Sequence, residues 1–228
     1  MMDEENTKWM KEWEASSTPA WAMKGINPYI KKYKDDLTKG MNCSKLFFPM
    51  CGDVADMHWL SELGHDIVGV EISSIAIQKF FNDNNLKYIV TPCEKFKGSL
   101  YTSTTGKIRI YCGDFFLFGT SIECDFDGIW DRGSFNIFDN CDLKKDKSKL
   151  KKEYINILKS VMKPDCHVFI ELVIFDSTTK TDDIQIYFGE DYLVEDLGLV
   201  EKYAPEYDSF PIEGFQFFRI SKKKIKFV

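Results

Sequence analysis

The stretch Leu46-Phe-Phe-Pro-Met-Cys-Gly-Asp-Val-Ala-Asp-Met-His-Trp-Leu-Ser-Glu-Leu-Gly-His-Asp-Ile-Val-Gly-Val-Glu71 decides the fold. Leu46, Phe47 and Phe48 form an apolar run without polar alternation, as in a strand covered on both faces of a parallel sheet. Pro49 and Gly52 break the run. Val54, Met57, Leu60 and Leu63 then recur at helical spacing, and Gly64 stands where a helix stops. A second apolar run, Ile67 to Val70, ends in Glu71. An acid closing the second strand, about twenty residues past the first-turn glycine, is where doubly wound nucleotide-binding folds hold a ribose by its hydroxyls.

The turn discriminates between nucleosides. A dinucleotide site wants three spaced glycines, so that backbone can approach the pyrophosphate and the helix can pack on the strand. This turn has one glycine, Gly52, followed by Asp53 and Asp56, and two carboxylates beside a pyrophosphate repel it. A ligand with an amino-acid end and no phosphate suits the turn better, and S-adenosylmethionine is such a ligand. A strand-helix-strand unit without a ligand is the alternative. Glu71 weighs against it, because an acid ending an apolar strand needs a partner.

Three segments, Phe47-Phe-Pro-Met-Cys-Gly52, Gly64-His-Asp-Ile-Val-Gly-Val-Glu-Ile-Ser73 and Ile129-Trp-Asp-Arg-Gly133, together resemble the thiopurine S-methyltransferase family. The likeness runs from about Trp9 to Phe175 and is weaker after that. It implies S-adenosylmethionine as methyl donor, S-adenosylhomocysteine as product, and a small aromatic or heterocyclic thiol as acceptor. It implies a cofactor site including Met50, Gly52, Glu71 and Ile72, an active-site arginine at Arg132, and an N-terminal segment that closes over cofactor and acceptor. Trp9 and the Thr18 to Trp21 turn fall in that segment, where Ala20 replaces the family's usual aromatic and Trp21 is placed to supply the ring. Two departures stand out. The family carries a substrate-side arginine five residues before a glycine in the loop ahead of the last strand; counting back from Gly214 reaches Ser209, and Tyr207 to Glu213 holds no basic residue. The loop after Phe175 also lacks the family's double proline and phenylalanine.

Composition narrows the partners. At 228 residues the chain suits one domain with a full core, its first 40 residues forming a helical cap ahead of the first strand. With 30 basic and 36 acidic residues, a formal charge of −6 and a pI near 5.2, a nucleic-acid surface is disfavoured and a small-molecule substrate is expected. No segment is long and apolar enough to span a membrane, and the acidic N-terminus does not resemble a signal peptide. Seven cysteines without a Cys-x-x-Cys spacing suit reduced thiols in a cytoplasmic protein. The three histidines are scattered, so no metal site is expected, and a monomer is assumed.

Trp9 and Trp13 lie four apart and share a helix face, either packing on the domain or offering aromatic faces to a sulfonium cation. Asn27 and Pro28 open a helix striped by Ile30, Tyr33 and Leu37. Ser73 and Ser74 cap the next one, and Ile72 touches the adenine or faces the core. Thr91 to Gly106 reads as a loop or small excursion, and Lys107 to Cys112 as a strand. Asp114 and Phe115 at its end are placed to accept from the adenine amino group and to lie against the ring, although Asp114 also suits a plain turn. Phe126 to Trp130 is a strand followed by Asp131-Arg132-Gly133. Lys144 to Met162 is a helix, Cys166 to Phe175 a strand carrying Glu171, Glu190 to Leu197 a helix stopped by Gly198, and Val200 to Tyr203 and Phe215 to Ser221 the last strands. The expected architecture is α/β, a doubly wound, seven-stranded, mostly parallel sheet with an N-terminal helical flap.

Methyl transfer from a sulfonium is an in-line displacement, so the protein mainly aligns the reactants and excludes water. An acidic thiol is largely thiolate at neutral pH and needs no strong base. Arg132 is placed to hold the cofactor carboxylate, the thiolate or an acid on the acceptor, and Asp131 is the only nearby candidate base. A non-catalytic S-adenosylmethionine-binding protein and a nicotinamide-dependent oxidoreductase remain as alternatives.

Overall fold

In β1 (Lys45–Phe48) alternate side chains go to opposite faces, so Phe47 joins one core and Leu46 and Phe48 another, all three buried. Such a strand has to be covered twice. The computed structural model of the chain describes residues 4–15, 19, 22–138, 146–175, 183–208 and 211–224. Helices α2 (Pro28–Leu37), α3 (Asp56–Glu62) and α4 (Ser74–Asp83) bring Ile30, Leu37, Met57, Leu60, Ile77 and Phe80 to the core that holds Leu46 and Phe48. The core that holds Phe47 takes Tyr154, Leu158 and Val161 from α6 (Lys147–Val161) and Ile184 and Phe188 from α7 (Asp183–Phe188). The helix starts follow their local chemistry. Asn27 accepts from the Tyr29 amide at 2.8 Å ahead of Pro28, and Ser73 accepts from the Ala76 amide.

The remaining elements are α1 (Glu4–Ala15), α5 (Ser134–Ile137) and the strands β2 (Asp66–Glu71), β3 (Tyr88–Cys93), β4 (Gly98–Ser103), β5 (Ile108–Cys112), β6 (Phe126–Arg132), β7 (Met162–Ile174), β8 (Tyr192–Val200) and β9 (Gly214–Lys222). Among the described residues they form a nine-stranded sheet in the order β3-β4-β5-β2-β1-β6-β7-β9-β8. The pairs β5-β2-β1-β6-β7 are parallel, while β4 and β9 run against both neighbours. No helix among the described residues is long and apolar enough to cross a membrane.

The expected seven-stranded, mostly parallel sheet is corrected to nine strands in a mixed sheet, with four parallel and four antiparallel pairings among the described residues. The stretch read as a loop is the hairpin β3–β4, which extends the sheet beyond β5 because β4 pairs with it from Ser99 to Thr102. Pro92 sits in the outermost strand, where its missing N–H costs no ladder bond. A second correction concerns Glu190 to Leu197, which is not helix but a turn leading into a strand at Tyr192, and that strand ends at Val200, so no strand runs from Val200 to Tyr203. The strand is β8, zipped to β9 along its length, with Gly198 at φ +100° where the register shifts after Asp196. That glycine marks a bulge, not a helix stop. The helix of this region is α7, ending before Gly189 at φ +80°. Residues 144 and 145 of the expected long helix lie outside the described residues.

Gly128 of β6 shows how tightly α2 is laid on the sheet. A Cβ there would come 2.5 Å from the Leu37 carbonyl oxygen and 2.8 Å from the Leu37 Cδ1. Gly128→Ala is expected to lower unfolding stability by about 1–3 kcal/mol, the usual cost of overpacking. Urea denaturation with an unchanged midpoint would show that α2 can shift freely.

Candidate active site

The chain order reverses at β1, with β2 and β5 on one side and β6 and β7 on the other. The crevice beyond the C-terminal ends of these strands is the switch point where open α/β sheets bind ligands. A cavity of about 460 Å³ lies there, lined by the turns after β1, β2, β5 and β6 and by Trp9 and Trp13 of α1. That volume is in the range of small-molecule sites.

Glu71 ties the first turn together. Its Oε2 accepts from the Gly52 amide and its Oε1 from the Ser73 amide, both at 2.8 Å. Each oxygen keeps lone-pair capacity for a further donor. Burial pushes this carboxyl above its ordinary range, against the pull of the Ser73, Gly52 and Ile72 amides. Gly52 is required twice. Its φ is +56°, and a Cβ would come 3.3 Å from the Trp13 ring, so α1 rests on the turn itself. Met50 also has a positive φ, 45°, and lines the cavity with Ile72.

Asp53 and Asp56 are not two carboxylates facing a ligand. Asp53 pairs with Lys79 at 2.8 Å. Asp56 is fully buried, accepting from the Asn27 amide at 2.7 Å. The charge argument against a pyrophosphate is corrected for Asp56, which is off the cavity wall, whereas Asp53 lines the cavity while paired with Lys79. Asp114 caps a 3-10 turn by accepting from the Phe116 amide at 2.9 Å, and it also lines the cavity. Phe115 is buried against Tyr154, with ring centroids 4.9 Å apart. Its neighbour Phe116, which the sequence reading passed over, is half-buried on the same wall.

The two candidates after β6 part company. Asp131 is fully buried and absent from the cavity wall, its oxygens accepting from the Ser134 amide and the Tyr154 hydroxyl at 2.8 Å each. Burial raises its carboxyl to about 6. It braces the β6–α5 turn, so its reading as a base is corrected. Arg132 does reach the cavity. The expected ring at Trp21, with Thr18 and Ala20, lies outside the described residues. Thus Trp9, Trp13, Met50, Gly52, Glu71, Ile72, Asp114, Phe115 and Arg132 share one cavity.

The profile of the thiopurine S-methyltransferase family matches residues 4–190. The chain belongs to this family. Among similar proteins, the probable thiopurine S-methyltransferase of Danio rerio is 29% identical across 91% of this chain and 90% of its own. The thiopurine S-methyltransferase of Bos taurus is 28% identical across 90% and 84%. The fold is shared with the N-methyltransferase NodS from Bradyrhizobium japonicum WM9, solved in complex with S-adenosyl-l-homocysteine, at a TM-score of 0.62 and 11% identity over 97% of this chain and 100% of that one. As a thiopurine S-methyltransferase family member the chain is an S-adenosylmethionine-dependent methyltransferase.

In this family member Arg132 sits in a polar cluster that spacing did not reveal. Its Nη2 donates to the Tyr207 hydroxyl, and its Nε lies 3.8 Å from Glu171 Oε1. Burial works against the guanidinium charge, but Tyr203, Tyr207, Glu171 and Asp56 outweigh it and raise its pKa. Glu171 accepts from Asn27 Nδ2 at 2.8 Å and from the Tyr203 hydroxyl at 2.6 Å. Burial lifts Glu171 to about 7 and Asp56 to about 6, with Arg132 opposing both shifts. One arginine therefore faces two acids. The one available signal was Glu171 itself, a charge inside an apolar strand.

Proposed function

We propose that this methyltransferase takes a small aromatic or heterocyclic thiol as acceptor and that thiopurines are poor substrates for it. The carrying observation is that Arg132, a cation on the cavity wall, is already opposed by Glu171 and Asp56. An anionic acceptor finds that charge largely compensated, and Ser209, the residue at the family's second arginine position, which lies outside the described residues, carries no charge. S-adenosylmethionine, when bound, supplies an electrophilic methyl on a sulfonium. The residues fit it: Glu71 has lone pairs for a ribose diol, Asp114 Oδ2 is placed for the adenine amino group, and Phe115 and Phe116 offer apolar cover. Trp9 and Trp13 line the cavity, where aromatic faces favour a cation and exclude water. Arg132 orients the acceptor.

Transfer of labelled methyl to benzyl mercaptan, an aromatic thiol that is uncharged at neutral pH, and to 6-mercaptopurine tests this reading. Benzyl mercaptan is expected to be the better acceptor, and Ser209→Arg to raise kcat/KM for 6-mercaptopurine about tenfold, the effect of roughly 1–2 kcal/mol from one added cation. Efficient 6-mercaptopurine methylation indifferent to Ser209→Arg would refute it.

A further inference from the structure

We propose that Tyr207, Tyr203 and Glu171 form a path that removes the proton from the acceptor, so that the site also serves thiols that are still protonated at neutral pH. The inference rests on the thiol-methyltransferase reading above and deepens it. Tyr207 lines the cavity and its oxygen receives a hydrogen bond from Arg132. Its side chain packs against Tyr203, the two rings meeting edge to face at 5.5 Å. The Tyr203 hydroxyl donates to Glu171 Oε1 at 2.6 Å. Two adjacent tyrosines thus stand between the cavity wall and a buried carboxylate, and the proposed hop between them is the one the variants below test.

The surroundings suit a carboxylate that changes its protonation state. A structural arginine-carboxylate pair is two-pronged at about 2.7–2.9 Å, whereas Arg132 Nε stands 3.8 Å from Glu171. Asn27 Nδ2 bridges Glu171 Oε2 and the Tyr203 oxygen at 2.8 and 3.0 Å, which holds the path in register. The charged and titratable groups facing Glu171 are Arg132 of β6, Asp56 of α3, and Tyr203 and Tyr207 from the segment between β8 and β9. Burial and, to a lesser degree, Asp56 disfavour its charge while Arg132 favours it, leaving the carboxyl at about 7 and able to work in both forms. Arg132 also stabilises negative charge on the Tyr207 oxygen while the proton passes.

The step balances. The acceptor S–H bond breaks and its proton goes to the Tyr207 oxygen as the Tyr207 proton moves to Tyr203 and the Tyr203 proton to Glu171. The freed sulfur electron pair forms the S–CH3 bond while the methyl–sulfonium bond breaks, its electrons staying on the departing thioether. Glu171 returns the proton to water after release.

The test compares two thiols. Benzyl mercaptan is protonated at neutral pH, and 4-nitrothiophenol is already ionised. In Glu171→Gln, kcat/KM for benzyl mercaptan is expected to fall roughly 100-fold, the usual worth of a positioned base, and for 4-nitrothiophenol only a few-fold. Tyr203→Phe, which deletes one hydroxyl and keeps Arg132 and Glu171, should reproduce that split. In the wild type the benzyl mercaptan rate should rise with pH through about 7 in a way that Glu171→Gln loses. In the free protein, infrared difference spectra between wild type and Glu171→Gln should show a protonated-carboxyl band that disappears over the same range. Equal slowing of both thiols, or no such band, overturns the path while leaving the methyltransferase reading intact. A wild type that binds S-adenosylhomocysteine but methylates neither thiol overturns both.

Discussion

Arg132→Met is expected to unfold at pH 8 roughly 10 °C below the wild type, because removing one partner of a buried ionic cluster costs about 3–5 kcal/mol and each kcal/mol shifts a domain of this size by about 2–4 °C. The methionine fills the space but takes from Glu171 the cation that favours its charge and leaves Asp56, also buried, only the weaker pull of Lys31. The deficit should depend on pH in a stated direction. In the wild type, burial raises Asp56 from 3.8 to about 6 and Glu171 from 4.5 to about 7 in the folded state. Native protein therefore binds these protons more tightly than unfolded chain. Their contribution to stability is complete below the unfolded values and is lost as pH rises through about 6 and 7. Without Arg132 both groups rise further, so the loss extends to higher pH. Melting curves of the two proteins should lie close at pH 5 and diverge by pH 8. A gap of the same size at both pH values would show that Arg132 contributes packing and not charge.

Glu71→Ala should weaken S-adenosylhomocysteine binding by about 1–3 kcal/mol, a factor of roughly 5 to 150. The proposed ribose assignment rests on Glu71, whose Oε2 and Oε1 are held by the Gly52 and Ser73 amides and whose side chain lines the cavity. Alanine also strands those two amides, so a melting temperature a few degrees lower is part of the expectation. Calorimetry with S-adenosylhomocysteine, and with NAD as a control, separates binding from folding. If the variant retains wild-type affinity while its melting temperature falls, Glu71 only braces the turn and the ribose lies elsewhere.

Much of the site was legible because its parts are local. Strand, one-glycine turn, helix and closing acid follow one another between Leu46 and Glu71, and the backbone conformation at Gly52 and the caps at Asn27 and Ser73 are satisfied within a few residues or across one strand-helix-strand unit. Hydrophobic periodicity likewise marked β1, β2, β5 and β6 and helices α2, α3 and α4. It misread the segment before Gly198, since Leu193, Val194 and Leu197 fall at helical spacing while its partner β9 lies beyond an intervening loop. The hairpin β3–β4 was obscured for a related reason: its polar, proline-bearing sequence is tolerated at a sheet edge that only the pairing with β5 creates.

By itself the sequence determined that a doubly wound sheet presents Glu71, Gly52 and Arg132 at one edge. Only the tertiary structure decided what each charge faces there. It turned Asp131 into the interior against Tyr154, drew Asp56 away from the turn to Asn27, and set Arg132 between two acids and two tyrosines. Asn27 and Tyr203, hydrogen-bonded to each other, stand 176 residues apart. No local pattern encodes such a contact. The free energy of a buried charge depends on neighbours that packing brings within a few ångströms, whatever their distance along the chain.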